Sequence, residues 1–339
     1  MFKFQIVKRL LLAAALSFSV HAVMAQPAAA PASVRQEAPV SGFNPDAVEV
    51  HQDDLLANQR LITGRITLPD TRARTLIQPD GRMWRDYQRS VVPWIAAVLV
   101  LGTLAALALF YAIKGRIMID GGRGIATILR FSSFERFMHW LTAASWCVLA
   151  LSGLNMVAGR FVLLPLLGND NFSALSRLLK PAHNFVAFPF MLGVLLMFLV
   201  WLRANIPNQV DVNWFKSGGG FLDGSHPPAG KFNGGQKMVF WVVVLAGAAM
   251  SATGLSLMFP FAVTNIFGMQ IIQVIHGGIA LLMIAMMLSH IYIGSVGMEG
   301  AFDAMNSGDV DLTWAKDHHS LWVAEELAKA EKPQPSAAE

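Results

Sequence analysis

Residues 271–294 read IIQVIHGGIALLMIAMMLSHIYIG, a run without Asp, Glu, Lys or Arg. A helix crosses a bilayer in about 20 residues at 1.5 Å rise each, so this run is long enough to span one. Its ionisable groups are His276 and His290. Fourteen positions apart at about 100° per residue, they lie within roughly 40° of one face and about 21 Å apart along the axis. One helix thus presents two imidazoles to the same side, near opposite membrane surfaces.

Four further apolar runs place spans near 92–113, 134–157, 183–203 and 238–260. Across the 339 residues only 14% are charged and 54% are hydrophobic, with mean hydropathy +0.48. Soluble domains are about a quarter charged, so the chain is a multi-span membrane protein. The first 25 residues have a basic start (Lys3, Lys8, Arg9), the apolar stretch Leu10 to Val20, and Val23-Met24-Ala25 before a cleavage point, which is the form of a secretory signal. Residues 26 to about 45 are Ala/Pro-rich and predict disorder. The stretch 46–87 is polar and Arg-rich, with one short strand within Arg60–Leu68. Loss of the leader takes Lys plus Arg from 26 to 23 against 22 Asp plus Glu, a net +1. That balance gives a nucleic-acid partner no support.

An exported N-terminus sets the direction of every span and makes the C-terminus cytoplasmic. The connection 114–136 carries Lys114, Arg116, Arg123, Arg130 and Arg136, and 203–237 carries Arg203, Lys216, Lys231 and Lys237. The turn 261–270 has no Lys or Arg, as short exported loops tend to. In this topology His139 lies near the inner end of the 134–157 span, at the depth of His290. His183 begins the 183–203 span at the outer depth of His276.

Ionisable groups at membrane depth mark function by default. A single membrane histidine is read most economically as an interhelical hydrogen bonder. Four at matched depths, two on one helical face, read as two axial ligand pairs for six-coordinate b-type haem. Gly153, Gly193, Gly247, Gly254, Gly277 and Gly278 are candidates for the close backbone approach that a haem needs. Other metals fit poorly. A di-iron bundle site requires carboxylates, and none occurs between Glu135 and Asp170 or between Asp223 and Glu299. H-E-x-x-H is absent, and the lone cysteine, Cys147, excludes thiolate clusters, an intrachain disulfide and C-x-x-C-H haem attachment. A non-haem scaffold or transporter with hydrogen-bonding histidines stays open as the alternative.

Several stretches carry a resemblance: Phe134-Glu135-Arg136-Phe137-Met138-His139-Trp140, Pro181-Ala182-His183, Lys231-Phe232-Asn233-Gly234-Gly235-Gln236-Lys237-Met238, His276, His290-Ile291-Tyr292, and Trp314-Ala315-Lys316-Asp317-His318-His319. Over roughly 125–325 the chain resembles the γ subunit of respiratory formate dehydrogenase, its cytochrome b. The resemblance implies an all-α four-helix transmembrane cytochrome b bundle with two b haems, the outer on His183 and His276 and the inner on His139 and His290. It implies a membrane quinone beside the inner haem, at Asn233, Gly234, Gly235 and Gln236. The same segment also reads as a glycine-rich turn capped by Asn233. The implied partners are an iron–sulfur subunit and a molybdenum- or tungsten-containing catalytic subunit that oxidises formate, so the chain has no formate site of its own. The cytochrome b of a nickel–iron hydrogenase would use similar chemistry with another donor.

The expected organisation is a signal peptide at 1–25, an exported segment at 26–91, an extra span at 92–113, the di-haem bundle at 125–325 and a cytoplasmic tail at 326–339, all in a bacterial inner membrane. Compact family members lack the leader, the exported segment and the extra span. Residues 46–90 are expected to pack on the exported subunits. His318 and His319 are expected as water-exposed contact residues, and His226 as structural.

Overall fold

The computed structural model describes residues 62–65, 75–78, 81–220, 224–260 and 262–331. The expected signal peptide, the Ala/Pro-rich stretch and residues 332–339 lie outside them. β1 (Ile62–Arg65) is the strand expected within Arg60–Leu68, and it pairs antiparallel with β2 (Thr75–Gln78). Helix begins at Gly81, runs through a π-helical turn at Tyr87–Val91, and continues into α1 (Val92–Lys114). The other long helices are α2 (Ser133–Val162), α3 (Leu164–Trp201), α4 (Gly234–Met258) and α5 (Ile266–Tyr292). Among the described residues these five are long and apolar enough to cross a membrane.

Three of the bundle helices, α2, α4 and α5, start where a side chain satisfies free amides of the first turn. Ser132 and Glu135 close a reciprocal capping box on α2, and Asn233 and Gln236 close one on α4. Asn265 Oδ1 accepts from the Gly268 amide at 3.0 Å on α5. α2 and α3 meet at Leu163, and Gly168 breaks the helical path just beyond, at φ 74°, where a residue with a Cβ is strained.

Here the expected spans need correction. The helical stretch carrying His183 begins just after Gly168, and polar positions such as Asp170 and Arg177 are already helical. His183 therefore sits well inside a stretch that runs on to Trp201 over about 50 Å. A hydropathy run marks where a helix can be solvated by lipid. Helix itself continues until the backbone is interrupted, here at Gly168.

α2 packs on α3, α3 on α4, α4 on α5, and α1 lies against α5 and α2. Phe190, Val194 and Met197 of α3, Phe240, Val243 and Val244 of α4, and Met283 and Met287 of α5 form one core. That core continues into a cap at the His139–His290 end. β3 (Thr127–Leu129) pairs antiparallel with β4 (Asp309–Asp311) in this cap, and the helices Leu312–His318 and Ser320–Glu331 bury Trp314, Ala315, Trp322 and Val323. The helical cap thus runs into the expected tail as far as Glu331.

Candidate functional site

α5 carries two histidines, each facing a different helix. The His290 ring lies 6.2 Å from that of His139 on α2, centroid to centroid, with planes at 56°. The His276 ring lies 6.4 Å from that of His183 on α3, at 65°. The structure thus brings all four together as two cross-helix pairs, at levels about 21 Å apart along α5.

Both rings of the second pair are held from behind. Ser152 Oγ lies 2.7 Å from His183 Nδ1 and 2.6 Å from the Val148 carbonyl oxygen. Thr253 Oγ1 lies 2.9 Å from His276 Nδ1 and 2.7 Å from the Ala249 carbonyl oxygen. A hydroxyl has one proton, and with that proton on the helix carbonyl its lone pair accepts from Nδ1–H. In that arrangement the imidazole proton sits on Nδ1 of both rings, and the lone pair of each Nε2 is left free. A glycine follows each hydroxyl. A Cβ at Gly153 would lie 3.7 Å from His183 Cε1, and one at Gly254 would lie 3.4 Å from His276 Cε1. Sequence reasoning found these glycines and missed Ser152 and Thr253. The signal is the recurrence of hydroxyl-Gly-Leu, at Ser152-Gly153-Leu154 on α2 and Thr253-Gly254-Leu255 on α4. Of the other glycines, Gly193 and Gly247 pack against Thr142 and Val194, while Cβ atoms at Gly277 and Gly278 would meet nothing within 4 Å.

His183 and His276 open onto a cavity whose wall includes Leu149, Met191, Leu255, Gly277 and Gly278. At the other level the Nδ1 atom of His139 is buried without a hydrogen-bond partner among the described residues. One turn before His139, Glu135 Oε1 accepts from Trp201 Nε1 at 2.8 Å and from Lys231 Nζ at 2.7 Å. This joins the start of α2 to the end of α3 and to the segment entering α4.

Within that segment the side chains have structural partners. Asn233 Oδ1 accepts from the Gln236 amide at 2.9 Å, and Gln236 Oε1 accepts from the Asn233 amide at 3.1 Å and from Arg130 at 3.2 Å. Cβ atoms at Gly234 and Gly235 would each lie 2.9 Å from the Trp214 ring. Lys237 is buried against Asp211, at 2.8 Å. Asn233 also lines a second, smaller cavity with Phe110, Met298, His226, Asp317 and His318.

The stretch 130–308 matches the family model described as prokaryotic cytochrome b561, which is more than half of the chain. The chain belongs to that family. This cytochrome b is also 29% identical over 211 residues to the formate dehydrogenase cytochrome b556(fdo) subunit of Escherichia coli K12, covering 61% of this chain and 96% of the relative. It is 30% identical over 214 residues to the nitrate-inducible formate dehydrogenase cytochrome b556(Fdn) subunit of the same strain, covering 60% and 94%. A Haemophilus influenzae formate dehydrogenase cytochrome b556 subunit is 27% identical over 213 residues, covering 60% and 86%.

Membership in this family implies a b-type haem, and the histidine geometry fits one. With about 2.0 Å from metal to each nitrogen and about 1.1 Å from nitrogen to ring centre, two axial imidazoles stand about 6.2 Å apart. Two imidazoles hydrogen-bonded directly in line would stand about 5 Å apart. The observed 6.2 and 6.4 Å match the ligand spacing. Two imidazoles facing each other would suffice to hold a haem iron, which needs few ligands from the protein. Among the described residues no group of three or more His, Cys, Asp or Glu is placed to hold a bare metal ion.

The cap histidines differ from their sequence expectation. His319 is fully buried, with Nδ1–H donating to the Gly230 carbonyl at 2.7 Å. His318 lies between Trp314 and His226, and His226 Nε2 pairs with Asp120 at 2.9 Å. Adjacent histidines in a polar tail look exposed in sequence, but the tail folds back as the lid of the core. Burial holds His318 down at about 4, with His226 and Arg130 adding repulsion, and burial and then Arg130 hold His319 well below the usual range. The Arg130 guanidinium is pushed down to about 9 by burial, against the pull of Glu135, and stays protonated at neutral pH.

Proposed function

We propose that this cytochrome b is the membrane subunit of a formate dehydrogenase. In this reading it passes electrons from an iron–sulfur subunit, fed by a molybdenum- or tungsten-containing catalytic subunit, to a membrane quinone. The observation that carries the reading is the two cross-helix histidine pairs, each with one member on α5, at ligand spacing and at two levels. Bound there, two b haems would supply one-electron relays from one membrane face to the other. The chain's own part is to hold Nε2 of His183 and His276 toward one iron and the imidazoles of His139 and His290 toward the other, and to keep both in an apolar surround. Ser152 and Thr253 fix the Nδ1 protons on one pair.

In this reading the quinone binds beside the His139–His290 level, in the cavity that Asn233 shares with His226 and His318. Gly234, Gly235 and Gln236 adjoin Asn233 in the chain, with the capping box and Trp214 fixing their backbone. The Arg and Lys distribution supports a periplasmic N-terminal segment and a cytoplasmic C-terminus. Formate oxidation outside and proton uptake inside would then charge the membrane.

The test is formate-dependent reduction of the b-type bands in membranes holding the whole complex. Loss of one haem component in His276→Ala, with formate still oxidised by an artificial acceptor, supports the proposal. Bands reduced by hydrogen and not by formate point to a hydrogenase donor, and absence of b-type absorption refutes the haem reading.

A further inference from the structure

The helix that precedes the family-matched stretch forms part of the wall of the His183–His276 cavity. Residues 130–308 are matched by the family, and the Escherichia coli relatives are covered over 96% and 94% of their length by about three-fifths of this chain. α1 precedes that stretch. Even so, Tyr87, Gln88, Val92 and Ile95 line the cavity together with His183 and His276. The buried positions of α1, Val92 and Ala96, fall here too, while Trp94, Val98 and Leu101 around and beyond them are exposed. α1 is therefore held to the bundle at the cavity.

The mostly apolar wall of this cavity also carries polar groups. Lys180, Asn184 and Gln273 line it together with Tyr87 and Gln88. Two buried N–H donors have no acceptor among the described residues and sit one turn away along their helices. They are Trp84 Nε1, four residues before Gln88, and Gln270 Nε2, four residues before Val274, which also lines the cavity. A buried donor without an acceptor is costly to a fold and signals a missing partner. A b-type haem carries two carboxylates, which require donors and a cation where they leave the apolar pocket.

We propose that the segment Trp84–Ile95 is a haem-binding element. Its first turns receive the carboxylates of the haem held by His183 and His276, with Lys180 as the cation, and Val92 and Ile95 close the pocket against lipid. The proposal rests on the haem reading above and adds to it a binding role for the N-terminal helix. Tyr87–Val91 is a π-helical turn, an irregularity found often at functional sites.

Charge-sign variants of the full-length chain test this without depending on correct assembly alone. The parent, Gln88→Lys and Gln88→Glu are purified in detergent and titrated potentiometrically, and the relevant component is identified by its altered spectrum in His183→Met. At the parent midpoint, Gln88→Lys should lower the oxidised-to-reduced ratio of that component about threefold and Gln88→Glu should raise it about threefold. At 59 mV per tenfold these are shifts of about +28 and −28 mV. Trp84→Phe, which keeps the ring shape and loses the donor, should release haem from that component several-fold faster to apomyoglobin. Leu101→Ala, on the exposed side of the same helix and beyond the segment, should release it at the parent rate. Shifts of the same sign in both Gln88 variants, no shift, or a shift confined to the other component would overturn the proposal. A parent without b-type absorption would overturn the haem reading itself.

Discussion

Replacing Thr253 by valine, a near-isostere, removes the acceptor of the His276 Nδ1–H at 2.9 Å and leaves the helix packing in place. An acceptor behind a ligating imidazole makes it a better donor to the metal and fixes its orientation. That donation favours ferric over ferrous iron, so its loss should raise the midpoint potential. A hydrogen bond contributes about 1 kcal/mol net, and if about half of that depends on the charge of the iron, the shift is roughly 20 mV upward. Outer partners of ligating histidines typically also account for about 10- to 100-fold in affinity. Thr253→Val should therefore hold haem more weakly on washing. Optical potentiometry of the purified chain reads the potential, and the haem-to-protein ratio reads the retention. Ser152→Ala should act in the same direction through His183, and Thr253→Ser should restore both readings. A midpoint that falls or stays put in Thr253→Val, or a serine variant that behaves like valine, would refute the tautomer and orientation roles assigned to the hydroxyl.

Three further outcomes follow from the cap and the α4 entry. Lys237→Met leaves Asp211 buried without its partner, and removing one member of such a pair typically costs about 3–5 kcal/mol. A lower melting temperature in detergent, largely recovered by adding Asp211→Leu, is expected. Gly234→Ala puts a methyl group 2.9 Å from Trp214, so an overpacking loss of about 1–3 kcal/mol is expected, with the haem content of the folded fraction unchanged. His318 is half-buried and neutral when folded, held at about 4, and returns to about 6.5 when unfolded. The unfolded chain thus binds more protons between those values, and stability falls as pH drops from 6.5 toward 4. At pH 5 the loss from His318 alone is about 2 kcal/mol, to be read as lower amide protection factors in Leu312–Glu331 than at pH 7.5, each rate being divided by its intrinsic rate at the same pH.

The sequence made much of this architecture readable, because the strongest constraints are local. A run without carboxylates announces a span, and two histidines at helical spacing announce a shared face. The composition of 183–203 did not show where its helix begins, because backbone geometry at Gly168 sets that limit. Ser152 and Thr253 were missed because a hydroxyl in an apolar helix usually bonds its own preceding turn. Their second bond, to a histidine on another helix, exists only in three dimensions. The burial of His319 was hidden for a related reason: its partners, Gly230 and the ring of Trp314, are supplied by the fold of the cap. Asn233 and Gln236 were quoted for their polar side chains, and the structure shows those side chains closing a helix start.

The most direct measurement is the number of b-type haems per chain in the purified protein and in His139→Ala, His183→Ala, His276→Ala and His290→Ala. Two haems in the parent, falling to one in each variant, with His183 and His276 losing one spectral component and His139 and His290 the other, is the expected result. One haem in the parent, or loss of the same component from all four variants with the fold intact, would contradict the two-pair arrangement.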